Sequence, residues 1–346
     1  MKIALISDTH FGVRKNSEIF LESHLRFFKE QFIPYLENND IKNVFFLGDI
    51  CDNRSSMNIK IMNAVYDLFQ NTLKDFKVNV LIGNHDTYFN SSIEINSLKF
   101  LDNLPNVNII EKITTIEIDN KKIVMVPWIV NYDEFIKEFK NIKCDLCFGH
   151  FDIQGFNFNK FKTSEGGISA NIFGKCGKVF TGHFHIRNSR IYQNNEIIYI
   201  GSPFQLNRND IDERRGFTIV DTETNKYQFI DNNVSLKYIS VKYPQSFENI
   251  QIKNNIVDVH IDYDDSYNEN EIQKYLKKIE ELNPICTPNI IIDNTVIDGE
   301  IDLNEYDISS VTELMKEYVD ILEIKNKNEI YENLLNLYNE IKSDIL

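Results

Sequence analysis

The segment Asn43 to Asp52, Asn-Val-Phe-Phe-Leu-Gly-Asp-Ile-Cys-Asp, constrains this chain more than any other. Val44 to Gly48 has the apolar continuity of a strand buried on both faces, and it runs straight into a glycine. Asp49 follows at once and Asp52 three residues later. A carboxylate at the C-terminal lip of a parallel strand sits where open α/β sheets place their ligands. The pattern recurs: residues 2–7 end at Asp8-Thr9-His10, and Val78 to Ile82 ends at Gly83-Asn84-His85-Asp86. Between these strands lie two stretches with helical apolar spacing, one from Glu18 to Asn38 and one from Met57 to Phe76. Pro34 is expected to kink or shorten the first. Strand–helix–strand alternation implies right-handed parallel crossovers, so all three strands release their polar residues at one sheet edge.

Beyond Asn106 the pattern changes. Thr114 to Ile118 and Lys122 to Val126 flank Asp119-Asn120, a hairpin signature. Two short strands, Cys144 to Phe148 and Val179 to Thr181, close at Gly149-His150 and at Gly182-His183-Phe184-His185. Strand-like runs at Glu196–Ile200, Gly216–Val220, Tyr227–Ile230 and Leu236–Val241 point to a second, mostly antiparallel sheet packed on the first. A boundary falls near Tyr243-Pro244. After it come a strand (Ile256 to Ile261), a helix (Glu269 to Leu282) and a strand (Asn289 to Ile292), the makings of a small α/β unit. Ser310-x-x-Glu313 is a capping box, and Leu314, Tyr318 and Leu322, then Leu334 and Tyr338, lie on the apolar stripes of a helix–loop–helix. The expected division is 1–243, 244–305 and 306–346.

Composition excludes several alternatives. No apolar run approaches the length needed to cross a bilayer, and Met1 to Ile6 breaks at Ser7-Asp8, reading as a strand and not a signal peptide. A cytoplasmic location is the expectation. The 5 cysteines are too few for a disulfide scaffold. Cys144 and Cys147 form a C-x-x-C, but on a strand positions three apart point to opposite faces, and no second pair completes a zinc site. The net charge of −15 is not spread evenly, since acidic and basic side chains balance through residue 220. The first part can face a polyanion locally, and the acidic remainder is poorly suited to gripping phosphates.

Of 7 histidines, His10, His85, His150, His183 and His185 sit at strand ends beside Gly, Asp or Asn. His24, in an amphipathic helix, and His260, in a strand, read as structural. Asp8 and His10 are two apart in extended chain, so both can hold one ion, and His183 and His185 can contribute one nitrogen to each of two. Asp49 has two oxygens and can bridge. The expected assignment is one ion on Asp8, His10, Asp49 and His185 and a second on Asp49, Asn84, His150 and His183. Two ions roughly 3.5–4 Å apart clamp an in-line phosphoryl displacement. An all-oxygen and nitrogen donor set favours manganese, with iron or zinc as alternatives. His85, beside a ligand but not one itself, can protonate a leaving oxygen or stabilise charge on the phosphorane. Asp52 could hold its ring in the correct tautomer, or could simply be a charge at a helix N-terminus.

Asp8-x-His10, Gly48-Asp49-x-x-Asp52, Gly83-Asn84-His85-Asp86, Gly149-His150 and Gly182-His183-x-His185 together resemble the motif set of the calcineurin-like metallophosphoesterases. Within them the chain resembles the SbcD-type DNA double-strand-break nucleases. It is most similar to the small nuclease subunit of T-even phage recombination endonucleases. Tyr199-Ile200-Gly201-Ser202-Pro203, Arg215-Gly216-Phe217 and Asp221-Thr222-Glu223-Thr224 extend the likeness, which is strong over Met1 to Val241. The resemblance implies an α/β (α+β) fold with a four-layer αββα core. It also implies manganese-dependent exonuclease and endonuclease activity on DNA, a homodimer, and a coiled-coil ATPase partner of the SbcC type. A phage-encoded member would work in the host cytoplasm. The helices at residues 306–346 suit docking to that ATPase, or a fold back onto their own core. Some family members carry histidine where this chain has Asp52.

No P-loop occurs, so any ATP dependence belongs to the partner. Arg14 and Lys15 follow the first motif, Arg54 the second, and Arg187, Arg190 and Arg208 the last, as candidate phosphate contacts. Phe156, Phe158 and Phe161 interleave with Lys160 and Lys162, which suits stacking on frayed ends or, for the phenylalanines, a place in the core. A phosphatase or cyclic-nucleotide phosphodiesterase on the same core, or a structural clamp for the ATPase, are the competing functions.

Overall fold

The computed structural model describes residues 1–158, 162–192, 195–262 and 269–293, with residues 316, 319, 327 and 330–335 beyond them. In chain order the strands are β1 (Lys2–Ile6), β2 (Asn43–Phe46), β3 (Lys77–Leu81), β4 (Thr87–Phe89), β5 (Ser92–Asn96), β6 (Val107–Ile110), β7 (Thr114–Ile118) and β8 (Lys121–Val126). They continue as β9 (Cys144–His150), β10 (Cys176–Gly182), β11 (Asn188–Tyr192), β12 (Asn195–Tyr199), β13 (Gly216–Asp221) and β14 (Lys226–Asp231). The last three are β15 (Tyr238–Lys242), β16 (Ile256–Asp262) and β17 (Asn289–Asp293).

The first sheet has the order β14-β13-β1-β2-β3-β6. Its four strands β1, β2, β3 and β6 are parallel, with Leu5 opposite Phe45 and Val44 opposite Val78. The parallel strands therefore end together, and Asp8, Asp49 and Asn84 leave the same edge. The second sheet has the order β11-β12-β10-β9-β8-β7. Its inner pairs are parallel, and only the edge strands β11 and β7 run antiparallel to their neighbours. The expectation of a mostly antiparallel second sheet is therefore corrected. Its inner strands are near-continuous apolar runs buried on both faces, the condition under which parallel strands occur. The antiparallel β13–β14 pair belongs to the first sheet instead.

Alternation along the strands builds the layers. Ile3, Leu5, Phe45, Leu47 and Leu81 face Met125, Leu146, Phe148, Phe180 and Ile198 across the two sheets. Ala4, Ile6, Val44, Phe46, Val78 and Val80 point the other way, into a core with Phe27, Phe28, Phe32, Val65 and Phe69 of the helices. On the outer face of the second sheet, Val124, Cys147, Val179 and Ile197 pack with Phe135, Phe139 and Phe173. The result is an αββα stack. Each fully buried Phe or Ile in it contributes roughly 1.5–3 kcal/mol.

Helix α1 (Glu18–Phe27) is not broken by Pro34. It passes through a π-helical stretch, Phe28–Phe32, and resumes as Ile33–Asn38. The wide turn, with Ile33 N–H donating to Phe28 O, takes up the register that the missing proline N–H would otherwise disturb. Helix α2 (Ile59–Asp67) starts at Asn58, whose side chain accepts from Lys60 and Ile61 N–H. The Asp119-Asn120 turn has positive φ at both residues, the type I′ geometry of a two-residue hairpin. Cys144, Cys147 and Cys176 fall in one apolar cluster, so the opposite-face argument fails at Cys144, the first residue of its strand. Among the described residues, no group able to hold an ion includes a cysteine.

Strands β15, β16 and β17 form a separate, all-parallel sheet with helix α3 (Glu269–Glu280). Val241, Val257, Val259, Ile272, Leu276 and Ile279 are its own core. Tyr238–Lys242 thus pairs into the small sheet and not into the second large one. Arg208 reaches from the main core to Asp258 on β16, with Nε donating at 2.7 Å. The chain divides into Met1–Asp293 and Asn294–Leu346. Of the partner-docking candidates, Leu334 lies in a helical segment, and Leu314, Tyr318, Leu322 and Tyr338 lie outside the described residues.

Candidate metal centre

The loops leaving β1, β2 and β3 are tied to each other before they reach the site. Asp8 N–H donates to Gly48 O, and His10 N–H to Asp49 O. The fully buried Asp86 carboxylate is the common knot. It accepts from Asp49 N (2.8 Å), Gly83 N (2.9 Å), Ile50 N (3.0 Å) and Cys51 N (3.2 Å). Burial and the neighbouring Asp49 carboxylate push it up to about 7, against these four donors. Sequence reading placed Asp86 at the strand end without a role; its offset of two from Asn84 was the available signal.

Close approach does the rest. A Cβ on Gly83 would lie 2.2 Å from Asp49 Oδ1, and one on Gly182 would lie 1.9 Å from Ser7 Oγ. Neither loop could pass the other with a larger residue there. Asp8 (φ 54°), His10 (φ 44°), Asp49 (φ 54°) and His183 (φ 86°) are held in left-handed backbone. Non-glycine residues persist there only where the surroundings over-determine them, which is characteristic of functional sites.

Two sets of donors converge. In the first, His10 Nε2 and His185 Nε2 face each other at 3.0 Å, and Asp8 Oδ1 is 3.9 Å from His185 Nε2. In the second, Asn84 Oδ1 lies 2.8 Å from His183 Nδ1 and 3.0 Å from His150 Nε2. Asp49 Oδ2 stands between them, 3.3 Å from His150 Nε2 and 3.7 Å from His10 Nε2. The other oxygen of Asp49 accepts the His85 N–H at 2.7 Å. So Asp49 reaches both sets through one oxygen, not one oxygen apiece. His150 Nδ1 donates to Leu47 O at 2.6 Å, which turns Nε2 toward the site.

The electrostatics fit two divalent cations. Asp8 and Asp49 are buried, and among the described residues neither pairs with lysine or arginine. Burial raises Asp8 above the usual carboxylate range. Burial also opposes ionisation of Asp49, but His150 and His10 beside it hold it well below that range. Burial opposes charging His150, yet the Asp49 carboxylate lifts it to about 9. His183 is pushed down to about 3 by burial and by His150, and burial puts His185 well below its ordinary value. Carboxylate oxygens and imidazole nitrogens aimed at shared points are what hard and borderline divalent ions take, with the His150 proton given up on binding.

His85 is half-buried against His10, with ring centroids 4.8 Å apart. Its Nδ1 donates to the backbone carbonyl of Asp52 at 2.7 Å, not to the carboxylate. The Asp52 carboxylate lies instead 3.3 Å from His10 Nδ1. The expected Asp52–His85 side-chain contact is therefore corrected. Chain direction after the β2 loop presents the carbonyl to His85 and sends the side chain to His10. Trp128, the single tryptophan, was not singled out from the sequence; it borders the second set, 5.1 Å from the His183 ring and 5.9 Å from His150.

The candidate phosphate contacts divide. Arg14 and Lys15, exposed on a left-handed turn, line a cavity with His10, His85 and His185. Arg54 is engaged with Asn90. Arg187 is corrected: its guanidinium pairs with Asp231 at 3.0 Å, lies over the Phe229 ring and is nearly buried. Arg208 is taken up by Asp258. Phe156 is fully buried, Phe158 is partly exposed, Lys162 is exposed, and Phe161 and Lys160 lie outside the described residues. His24, expected to be satisfied structurally, is buried against Phe204, and among the described residues neither ring nitrogen finds a hydrogen-bond partner.

An αββα stack carrying facing carboxylate, carboxamide and imidazole donors at its strand ends defines a metallophosphoesterase. Residues 1–212 match the model of the calcineurin-like phosphoesterase family, and the chain belongs to that family. It is 29% identical over 334 residues to exonuclease subunit 1 of Enterobacteria phage T4, covering 93% of each chain. It is 21% identical to the SbcD component of the SbcCD nuclease of Staphylococcus epidermidis, covering 90% of this chain and 92% of that one. A solved archaeal phosphodiesterase aligns at 16% identity and a TM-score of 0.37, over 67% of this chain and 99% of its own.

Proposed function

We propose that this phosphoesterase is a two-metal DNA nuclease, both exonuclease and endonuclease, with manganese as its ion. The observation that carries the two-metal reading is Asp49 Oδ2, which stands between two convergent donor sets. Asp8, His10, Asp49 and His185 would hold one ion, and Asp49, Asn84, His150 and His183 the other. Bound there, the ions supply Lewis-acid charge at phosphorus and lower the pKa of water. With Nδ1 committed to the Asp52 carbonyl, the His85 ring turns Nε2 to the reaction, and the protonated ring delivers its proton to the leaving oxygen. The Asp52 carboxylate orients His10. Arg14 and Lys15 offer charge to a neighbouring phosphate.

The similarity to two proteins named as nuclease components supports a DNA substrate and an SbcC-type ATPase partner. In this reading residues 1–243 are the nuclease, 244–305 a cap and 306–346 the docking segment of a cytoplasmic homodimer. Among the described residues no helix is long and apolar enough to cross a membrane. The test is cleavage of end-labelled linear duplex with manganese. Asp49→Asn and His183→Ala should each lower the rate by more than about 10³-fold, beyond the loss of one fixed electrostatic donor, with the fold unchanged by circular dichroism. Undiminished cleavage by both variants refutes the reading.

A further inference from the structure

The cavity at Arg14 and Lys15 does not stand alone. It has a volume of ≈ 540 Å³ and includes His10, Asp52 and His85. A second cavity, ≈ 410 Å³, lies on the other side of His185 and is bounded by His183, Phe184, Phe158, Asp152 and Asn209. His185 and Asn207 line both. The two are therefore halves of one groove that crosses the candidate metal centre. Their chemistry differs. The first half carries two cationic side chains; among the described residues the lining of the second includes no lysine or arginine, and it offers the exposed ring of Phe158 beside the buried Phe184.

The aromatic half is rigid. Phe184 is stacked on Tyr199 at 4.6 Å and 17°, and the Tyr199 hydroxyl is fixed by donating to Phe151 O and accepting from Ile153 N–H. Phe158 faces Phe184 at 6.1 Å and a tilt of 45°, so the two rings open a wedge and do not close on each other. Phe158 keeps 39% of its surface exposed although its neighbour Phe156 is fully buried. Its backbone is pinned, with its N–H donating to Lys162 O and the Asn157–Thr163 bridge beside it. The polar rim supplies hydrogen-bonding groups of both kinds. The Asn207 oxygen caps Asn209 N–H, which leaves its amide nitrogen to act as a donor, and Asp152, held by Ser164 Oγ at 2.7 Å, is an acceptor.

We propose that this second half is a nucleobase subsite. It takes the terminal nucleotide of the cleaved strand, unpaired from its complement, with the base against Phe158 and Phe184 and the following phosphates toward Arg14 and Lys15. A planar, uncharged π-system matches the aromatic wedge, and the polyanionic strand matches the basic half. Stacking tolerates every base, so the subsite selects frayed or single-stranded ends and not a sequence. The proposal rests on the nuclease reading above.

The test compares kcat/KM for release of the end nucleotide from two manganese-activated substrates, a duplex with an intact terminal base and one with an abasic terminal residue. The wild-type full chain should favour the intact end by about tenfold, within the range that one base–aromatic stack supplies. Phe158→Ala should reduce that ratio to near one, and Phe158→Trp should keep it. Because the ratio is internal to each protein, altered folding or metal loading cancels. A wild-type ratio near one, or a ratio that survives Phe158→Ala, overturns the subsite while leaving the nuclease reading intact. No cleavage of either substrate by the wild type overturns both.

Discussion

The two large sheets contribute different donors to the candidate centre. The first delivers Asp8, Asp49 and Asn84, all of the oxygen donors, together with His10 and the catalytic candidates His85 and Asp52. The second delivers only nitrogen, from His150, His183 and His185. The first set of loops is knotted by the Asp86 carboxylate. The second is set by close packing, with Gly182 against Ser7 and His150 Nδ1 on Leu47 O. The difference teaches a division of labour. The carboxylates and the candidate proton donor come from one sheet together with one imidazole, and the other sheet supplies imidazole alone.

The comparison can be broken first at His85. His85→Gln should lower kcat by about 10²–10⁴-fold, the usual loss for a general acid. Manganese binding, read as quenching of the single Trp128 fluorescence beside His183, should be retained. If quenching is lost as well, His85 is a ligand and the division fails. A pH series probes the other sheet. His150 stands at about 9 without metal, raised by Asp49 against the opposing effect of burial, so a bound ion must displace its proton. Apparent affinity should therefore rise about tenfold per pH unit from 7 to 9 and level off above. His10, which burial would lower, is raised by Asp52 and Asp49 and adds to the release, so calorimetry in buffers of different ionisation enthalpy should count between one and two protons. A flat profile would place the titrating group elsewhere.

Smaller effects sharpen the picture. Asp52→Asn, which keeps the backbone carbonyl on His85 but removes charge beside His10, should weaken metal affinity by about 10–100-fold. An effect on kcat alone would return its side chain to His85. Arg14→Ala should have the smallest effect: weaker DNA binding across all sequences and a salt dependence reduced by about one phosphate contact. Unchanged salt dependence would remove it from the substrate path.

Much of this arrangement was legible in the chain. Apolar runs ending in Asp, Asn or His mark strand ends, and parallel strands bring such ends together, so His150 and His183 could be grouped with Asp49 across more than a hundred residues. What was not legible has a common cause. Sequence reports which side chains are present, not where the backbone sends them. The Val124 and Val179 strands are apolar whether their neighbours run parallel or antiparallel. Asp52 has a carbonyl as well as a carboxylate, and the fold uses the carbonyl for His85. Arg187 reads as a phosphate contact until Asp231, far along the chain, arrives beside it. Pro34 is tolerated because a π turn absorbs it, which no local propensity announces.

The left-handed backbone at Asp8, His10, Asp49 and His183 has a consequence for anyone who would improve this protein. Each such residue holds a conformation about 1–2 kcal/mol above its preferred one, a penalty that glycine would not carry. Asp49 and Asp8 recover part of it by accepting the backbone N–H groups of His85 and His183, so the strain and the hydrogen bonds that offset it sit on the same residues. Replacing either carboxylate would relieve the backbone and orphan a buried donor at once, so the site is held in shape by the side chains it displays.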